Sequence, residues 1–343
     1  MVVSQYKKQN RRGKGVLDNS AVPDQGERLS FSGGVKKIFS IENIGIYAFL
    51  LFLIIFFTLM TGAFLTFDNF IVILRQVSII GICAFGETFV VIAGGIDLSV
   101  GSTVALSGVI SASLAKFLQV PVPLAFLAGI AAGSVCGFLN GTLATRAKIP
   151  PIIVTLGTLT IIRGLAFIIV GGTTVFGMPV TYRVLGRSYI GFIPIPVLIM
   201  IVIFALFFLI LNKLSFGRYV YALGSNEEAA VISGINVGRV KTVVFILCGL
   251  MAGIGGAILS SRLDSGQAAT AQGLELDVLT AVVLGGVSIA GGKGRLESVF
   301  VGVLIIGILA NGMILLNIPH FYQLVIKGVV LLLAVGLDTL RKR

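Results

Sequence analysis

Apolar residues are strung along this chain in long runs, and polar residues gather in the gaps between them. Ten runs of 17 to 24 residues can be marked, at 44–64, 70–93, 98–118, 122–144, 150–170, 194–212, 242–261, 275–291, 297–317 and 321–339. At ~1.5 Å per helical residue, a run of about 20 matches the ~30 Å hydrocarbon layer of a bilayer. The pattern predicts an all-α polytopic membrane protein of about ten transmembrane helices. Most connections are short; the two long ones are 171–193 and 213–241.

Composition agrees with the pattern. Of 343 residues, 56% are hydrophobic and 12% charged, with a mean hydropathy of +1.05. A soluble domain would carry about 25% charged residues. Cys83, Cys136 and Cys248 all lie inside apolar runs and read as small packing residues. With one histidine, His320, and no HExxH, a His-based metal site is hard to build. No metal and no cofactor is therefore expected.

The net charge of +12 would suggest nucleic acid in a soluble protein, but here it orients the chain. An even number of spans puts both termini on one side. With that side inside, the inner regions hold nineteen Lys and Arg: eight in the tail (Lys7, Lys8, Arg11, Arg12, Lys14, Arg28, Lys36, Lys37), then Arg146, Lys148, Lys213, Arg218, Arg239, Lys241, Lys293, Arg295, Arg341, Lys342 and Arg343. The outer loops hold four: Lys116, Arg183, Arg187 and Arg262. Both termini are expected to be cytoplasmic. Residues 1–40 form a basic tail read as disordered, and 41–343 the membrane domain with its inner loop 213–241.

Several stretches break the apolar monotony. Gly129, Gly133, Gly137 and Gly141 recur every four residues on one helix face, the small-xxx-small signature of close packing. The run Gly94-Gly95-Ile96-Asp97-Leu98-Ser99-Val100-Gly101 predicts one helix ending near Ala93 and another starting near Leu98. It reads as a tight turn at the inner interface with Asp97 as a cap, or as a broken helix beside a pathway in which Asp97 and Ser99 present polar groups. Gly94, Gly95 and Gly101 would supply the break. Glu87 lies deep in a span and must face protein or water; Arg75, twelve residues earlier, does not reach it and snorkels outward. Arg163 and Lys327 are also expected to snorkel. In Ile149-Pro150-Pro151 and beyond, the prolines start a helix on which Thr155 and Thr158 share a face. Their hydroxyls can bond carbonyls one turn back, or a neutral polyol.

The inner loop 213–241 predicts a short capped helix, with Ser225 and Glu228 as a capping box and Gly234 as the stop. On the charged side of a membrane, such a helix is a handle for a cytosolic partner. The run Glu228-Ala229-Ala230 with Gly234 resembles the first half of the EAA loop of ATP-binding-cassette (ABC) import permeases; the distal Ile-x-Leu-Pro of that loop is absent. The GGIDLSVG run, the stretch 149–165 and the stretch 276–296 resemble the monosaccharide branch of these permeases, which includes ribose, xylose, galactose and arabinose systems. The likeness covers roughly residues 44–340.

The resemblance implies a permease that translocates a monosaccharide, a ribose-type pentose first. It implies a second permease copy or paralogue, two cytoplasmic ATPase subunits and an extracytoplasmic sugar-binding protein. Asn226, Glu227, Glu228, Ala229, Ala230 and Gly234 would form the ATPase contact. Glu87, Asp97, Ser99, Thr155 and Thr158 are candidates for the translocation path, and Arg183 and Arg187 for docking the binding protein. No P-loop of the form GxxxxGK[ST] is present, so ATP would be bound by the partner subunits. The alternatives are an ion-coupled secondary carrier of a small polar solute, which would want buried mid-membrane carboxylates, and a related permease for branched-chain amino acids or nucleosides. Enzyme chemistry finds no converging catalytic set.

Overall fold

Proline and glycine punctuate the helices. The computed structural model describes residues 41–340; the basic tail, 1–40, and the last three residues lie outside them. From residue 42 on, the described residues form one compact unit. The helices are α1 (Ile41–Met60), α2 (Phe67–Ile92), α3 (Val100–Phe117), α4 (Val122–Arg146), α5 (Pro151–Ile169), the short α6 (Val184–Arg187) after a 3-10 turn at Val180–Arg183, α7 (Ile195–Lys213), α8 (Ser215–Ser225), α9 (Glu227–Ile232), α10 (Val237–Leu263), α11 (Leu274–Leu284), α12 (Leu296–Leu315) and α13 (His320–Leu340). A small hairpin, β1 (Tyr189–Ile190) with β2 (Ile193–Pro194), lies just before α7. Pro121, Pro150 and Pro194 stand at the starts of α4, α5 and α7, where a missing N–H costs nothing.

Seven of these helices, α2 to α5, α7, α10 and α12, are long and apolar enough to cross a membrane; α1 and α13 carry shorter apolar stretches, 45–60 and 320–336. The chain is thus an all-α polytopic membrane protein.

One helix sits at the centre. Every residue of α2 from Val77 to Ile92 is buried, so it is enclosed on all sides. Around it pack α10, α12, α7 and α11, with α8 against one end. α4 lies further out and meets α10 through the expected glycine face. A Cβ on Gly133 would come 2.5 Å from Gly249 O, and one on Gly253 2.9 Å from the Ile130 Cα, so the two backbones touch. Ser107 Oγ donates to Gly253 O (2.8 Å), tying α3 to the same contact. In lipid no water is released when helices meet, so dispersion at this close approach supplies the association.

The expected span 275–291 departs from the pattern. Its helix, α11, is 11 residues long, ~17 Å, about half the hydrocarbon layer. The residues after Leu284 form a loop instead of more helix, and an irregular segment, 264–273, leads into α11 from the end of α10. It starts beside the end of α10, where Asp264 adopts φ 57°, and pairs Gly266 with Val175 through two 3.0 Å hydrogen bonds. It then descends along α3: Gly266 packs on Ala112, and Ala271 and Glu275 on Gly101. Ala112 and Gly101 are separated by ~16 Å of helix. Non-helical backbone at such depth persists only where protein or an aqueous cavity covers it.

Candidate functional site

The break between α2 and α3 is a buried polar knot. α2 closes on Gly94 (φ 80°), with Gly94 N–H to Val91 O (3.0 Å) and Gly95 N–H to Val90 O (2.9 Å). The chain then turns back on itself, and Asp97 N–H donates to Glu87 Oε1 (3.0 Å). Asp97 does not cap α3 in the usual way. Ser99 is the N-cap residue without a side-chain cap bond, and Asp97 Oδ1 accepts from Ser99 N–H (2.9 Å) and Ser99 Oγ (2.6 Å). Asn140 of α4 donates to Ser99 Oγ (2.9 Å), and Cys248 of α10 donates its thiol to Glu87 Oε2 (3.3 Å). From α5, Thr155 Oγ1 reaches Ile96 O at 3.0 Å. Glu87, Asp97 and Ser99 are all at most 3% exposed.

Four of the residues proposed for a pathway, Glu87, Asp97, Ser99 and Thr155, therefore converge, but on one another. Thr158 does not join them; its hydroxyl donates to Thr155 O (3.3 Å). Asn140 and Cys248 escaped sequence reading. A lone asparagine beside Gly141, inside a span, was the available signal for the first; nothing in the sequence aimed Cys248 at Glu87.

The inner loop folds into two helices, not one. α8 is amphipathic, and Ser225 is its last residue rather than the cap of the next helix. Asn226 takes that role, extended at φ −161°, with its Oδ1 accepting from Ala229 N–H at 2.9 Å. The amide one position later points its oxygen at the free first-turn donors. α9 stops at Ile232, before Gly234 at φ 80°. Glu228 and Ala229 are exposed, Ala230 is buried, and Glu227 pairs with Lys241 (2.7 Å).

Beneath α8 lies a junction of glycines. Gly224 packs its backbone directly on Ile92 O and on the Gly292 N–H, and Gly292 N–H donates to that same Ile92 O (2.8 Å). Gly291 (φ 85°) touches Gly94 and Gly224, and Tyr221 Oη donates to Gly294 O (2.8 Å). Burial pushes the Tyr221 hydroxyl up to about 12, so it remains a donor at any physiological pH. The loop 285–295 thus links α8 to the inner end of α2 and, through its own chain, to α11 and α12.

At the other end, Arg183 forms an ion pair with Asp264 (2.8 Å) and Arg187 Nε donates to Arg262 O (2.8 Å). Both remain exposed while pinning the loop 171–193 to the end of α10. Arg75 reaches Arg187 O (3.0 Å) and lies over the Tyr189 ring (4.7 Å), the outward snorkel expected of it.

Arg163 and Lys327 do not snorkel. Arg163 Nη1 donates to Ala268 O (2.8 Å) and Thr270 O (2.6 Å), satisfying carbonyls of the descending segment. Lys327 pairs with Asp277 of α11 (2.7 Å). A fixed partner inside the protein outweighs the stretch to the surface. Among the described residues no cluster of three or more His, Cys, Asp and Glu could hold a metal ion.

Residues 69–335 match the family model described as branched-chain amino acid transport system / permease component. The chain is 44% identical to the ribose import permease protein RbsC of Bacillus subtilis over 91% of this chain and 95% of that one. It is 42% identical to the L-arabinose ABC transporter permease protein AraH of Azospirillum brasilense, over 90% and 91%. Against the xylose transport system permease protein XylH of Haemophilus influenzae the figure is 35%, over 89% and 100%. No solved structure matches the chain.

Proposed function

The chain belongs to the family of branched-chain amino acid transport system permease components, and we propose that its own cargo is a monosaccharide, ribose first, moved as the transmembrane subunit of a binding-protein-dependent ATP-driven importer. It is a multi-pass membrane protein and a transport subunit; hydrolysis of ATP falls to separate partner subunits. The carrying observation is 44% identity to a ribose import permease over nearly the whole of both chains. Its relatives that move arabinose and xylose make a pentose-sized polyol the common denominator.

In this reading two ATPase subunits sit on the cytoplasmic side, and each receives the exposed helix α9, with Asn226, Glu227, Glu228, Ala229 and Gly234 at the contact and Ala230 anchoring it from beneath. A second copy or a close paralogue completes the membrane part. A sugar-binding protein delivers cargo at the opposite end, near Arg183 and Arg187. The glycine junction supports a mechanical role for α8 and α9. Gly224 leaves no space between α8, the end of α2 and the loop 285–295, so displacement of α8 carries both. That movement reaches the knot at Asp97 and the half-helix α11.

Co-reconstitution of the chain with an ATPase subunit and a sugar-binding protein from the same source organism tests the reading. Uptake of labelled ribose that needs all components and ATP, and exceeds that of arabinose and xylose, is the expected result. Uptake driven by an ion gradient without the ATPase refutes it.

A further inference from the structure

The deep charges of this molecule have fixed partners inside the protein, Arg163 its carbonyls and Lys327 its aspartate. Near the outer end of α2 two charges are left open. Asp68 and Arg75 lie two turns apart on one helix face. Both line a cleft of ≈ 340 Å³ between the start of α2 and the hairpin β1–β2. Among the described residues neither forms an ion pair, with the other or with any third group.

The guanidinium is held in place but not used up. Its Nη2 donates to Arg187 O (3.0 Å), and it lies over the Tyr189 ring (4.7 Å), a cation–π contact that fixes the group. Nε is covered and offers nothing to a ligand, but Nη1 is neither bonded nor buried. Arg262 stands within electrostatic reach of Arg75 and adds a second cation without a carboxylate in ion-pair distance. Asp68 is exposed and makes no hydrogen bond. The cleft is therefore cationic at its inner end and acidic at its rim.

Its surroundings say what fills it. Arg75 branches from the helix ~10 Å deeper than Asp68. The walls are exposed apolar and aromatic residues, Phe67, Val72, Tyr189 and Phe192. At the end of a spanning helix such residues meet acyl chains and headgroups. A cation left open among them takes its counter-ion from the bilayer. An acidic loop of a soluble protein would meet Asp68 first, which repels it. A lipid head with its phosphate at the hydrocarbon boundary and an ammonium further out carries both charges in the matching order.

We propose that this cleft holds the headgroup of an aminophospholipid of the phosphatidylethanolamine type, with its phosphate on Arg75 Nη1 and its ammonium on Asp68. The site goes beyond the sugar-importer reading and depends only on the chain lying in a bilayer. A primary ammonium brings three N–H donors to the carboxylate. A choline head brings none, so the site separates two lipids of equal net charge. The bound head ties the hairpin to α2, and Arg187, whose carbonyl holds Arg75, links both to the end of α10.

The purified, delipidated full-length chain is titrated with phosphatidylethanolamine, phosphatidylcholine and phosphatidylglycerol of the same acyl chains, and bound lipid is read by native mass spectrometry. The wild type binds the ethanolamine lipid about fivefold tighter than the choline lipid, the worth of one partly solvated ion pair. Asp68→Asn removes no internal hydrogen bond; it erases that preference and leaves choline-lipid binding unchanged. Arg75→Gln weakens all three lipids. Equal affinity of the wild type for the ethanolamine and choline lipids, or a preference that survives in Asp68→Asn, overturns the proposal whether or not Arg75→Gln folds. Tighter binding of phosphatidylglycerol, insensitive to Asp68, overturns it in favour of an anionic head. Free O-phosphoethanolamine at the same concentration leaves the lipid bound; displacement would make this a site for a soluble phosphate and overturn the lipid assignment. Asp68→Asn that keeps its lipid preference but loses docking of the sugar-binding protein would overturn it in favour of a protein contact.

Discussion

Asp97 shows how one buried residue ties three helices together. Its carboxylate accepts from Ser99, its N–H donates to Glu87, and Asn140 closes the ring from α4. Replacing Asp97 with Ala leaves the Ser99 N–H and hydroxyl without an acceptor in a dry site, at about 1–3 kcal/mol for each stranded group. Asp97→Ala should melt several degrees lower in detergent, and Asp97→Asn, whose amide oxygen still accepts, should melt in between. Equal melting of Asp97→Ala and wild type would show the knot to be idle. The sequence pointed to Asp97 and Ser99 because polar residues amid apolar runs stand out. It misjudged what Asp97 does, because a cap is inferred from the helix that follows, whereas its other partners come from other helices, Glu87 in the one before and Asn140 in the one after. The same reason explains Arg163 and Lys327: a terminal position suggested snorkelling, and the acceptors Ala268, Thr270 and Asp277 belong to other elements.

Among elements, α8 and α9 carry the mechanical argument. Glu228 is exposed at the first turn of α9, where a negative charge also favours the helix N-terminus. Glu228→Lys reverses that charge without touching the core. Binding-protein-stimulated ATP hydrolysis by the assembled transporter is expected to fall at least tenfold, with normal amounts of the chain in the membrane; unchanged stimulation would remove Glu228 from the contact. The helical pieces here were legible from Gly234 and from the polar run before it. The one-residue shift of the cap from Ser225 to Asn226 was not, since serine and asparagine cap almost equally well and only the preceding helix α8, which absorbs Ser225, decides between them. The half-helix α11 was also hidden. Its apolar composition continues to residue 291, but the glycines at 285, 286, 291 and 292 and the junction under α8 end the helix early.

Across the whole molecule, charge distribution predicts orientation. Nineteen basic residues on one side against four on the other place α8 and α9 in the cytoplasm and the loop 171–193 outside. Reporters inserted after Gly234 and at the C-terminus should read cytoplasmic, and one inserted at Gly172 should read external. The opposite pattern would leave α9 on the side without ATP. The sequence by itself determined that lipid is the solvent, where the apolar elements lie, and that one helix face is built for close packing. These follow from composition and from periodicities that a helix displays along a single chain. Only the tertiary structure decided that Glu87 and Asp97 turn inward to one knot, that Gly224 locks α8 to α2, and that Glu275 packs its carboxylate on Gly101. Each of those depends on which backbone or side chain arrives from another element, and contacts between elements, whether 10 residues apart as for Glu87 and Asp97 or 161 as for Glu87 and Cys248, leave no trace in local pattern.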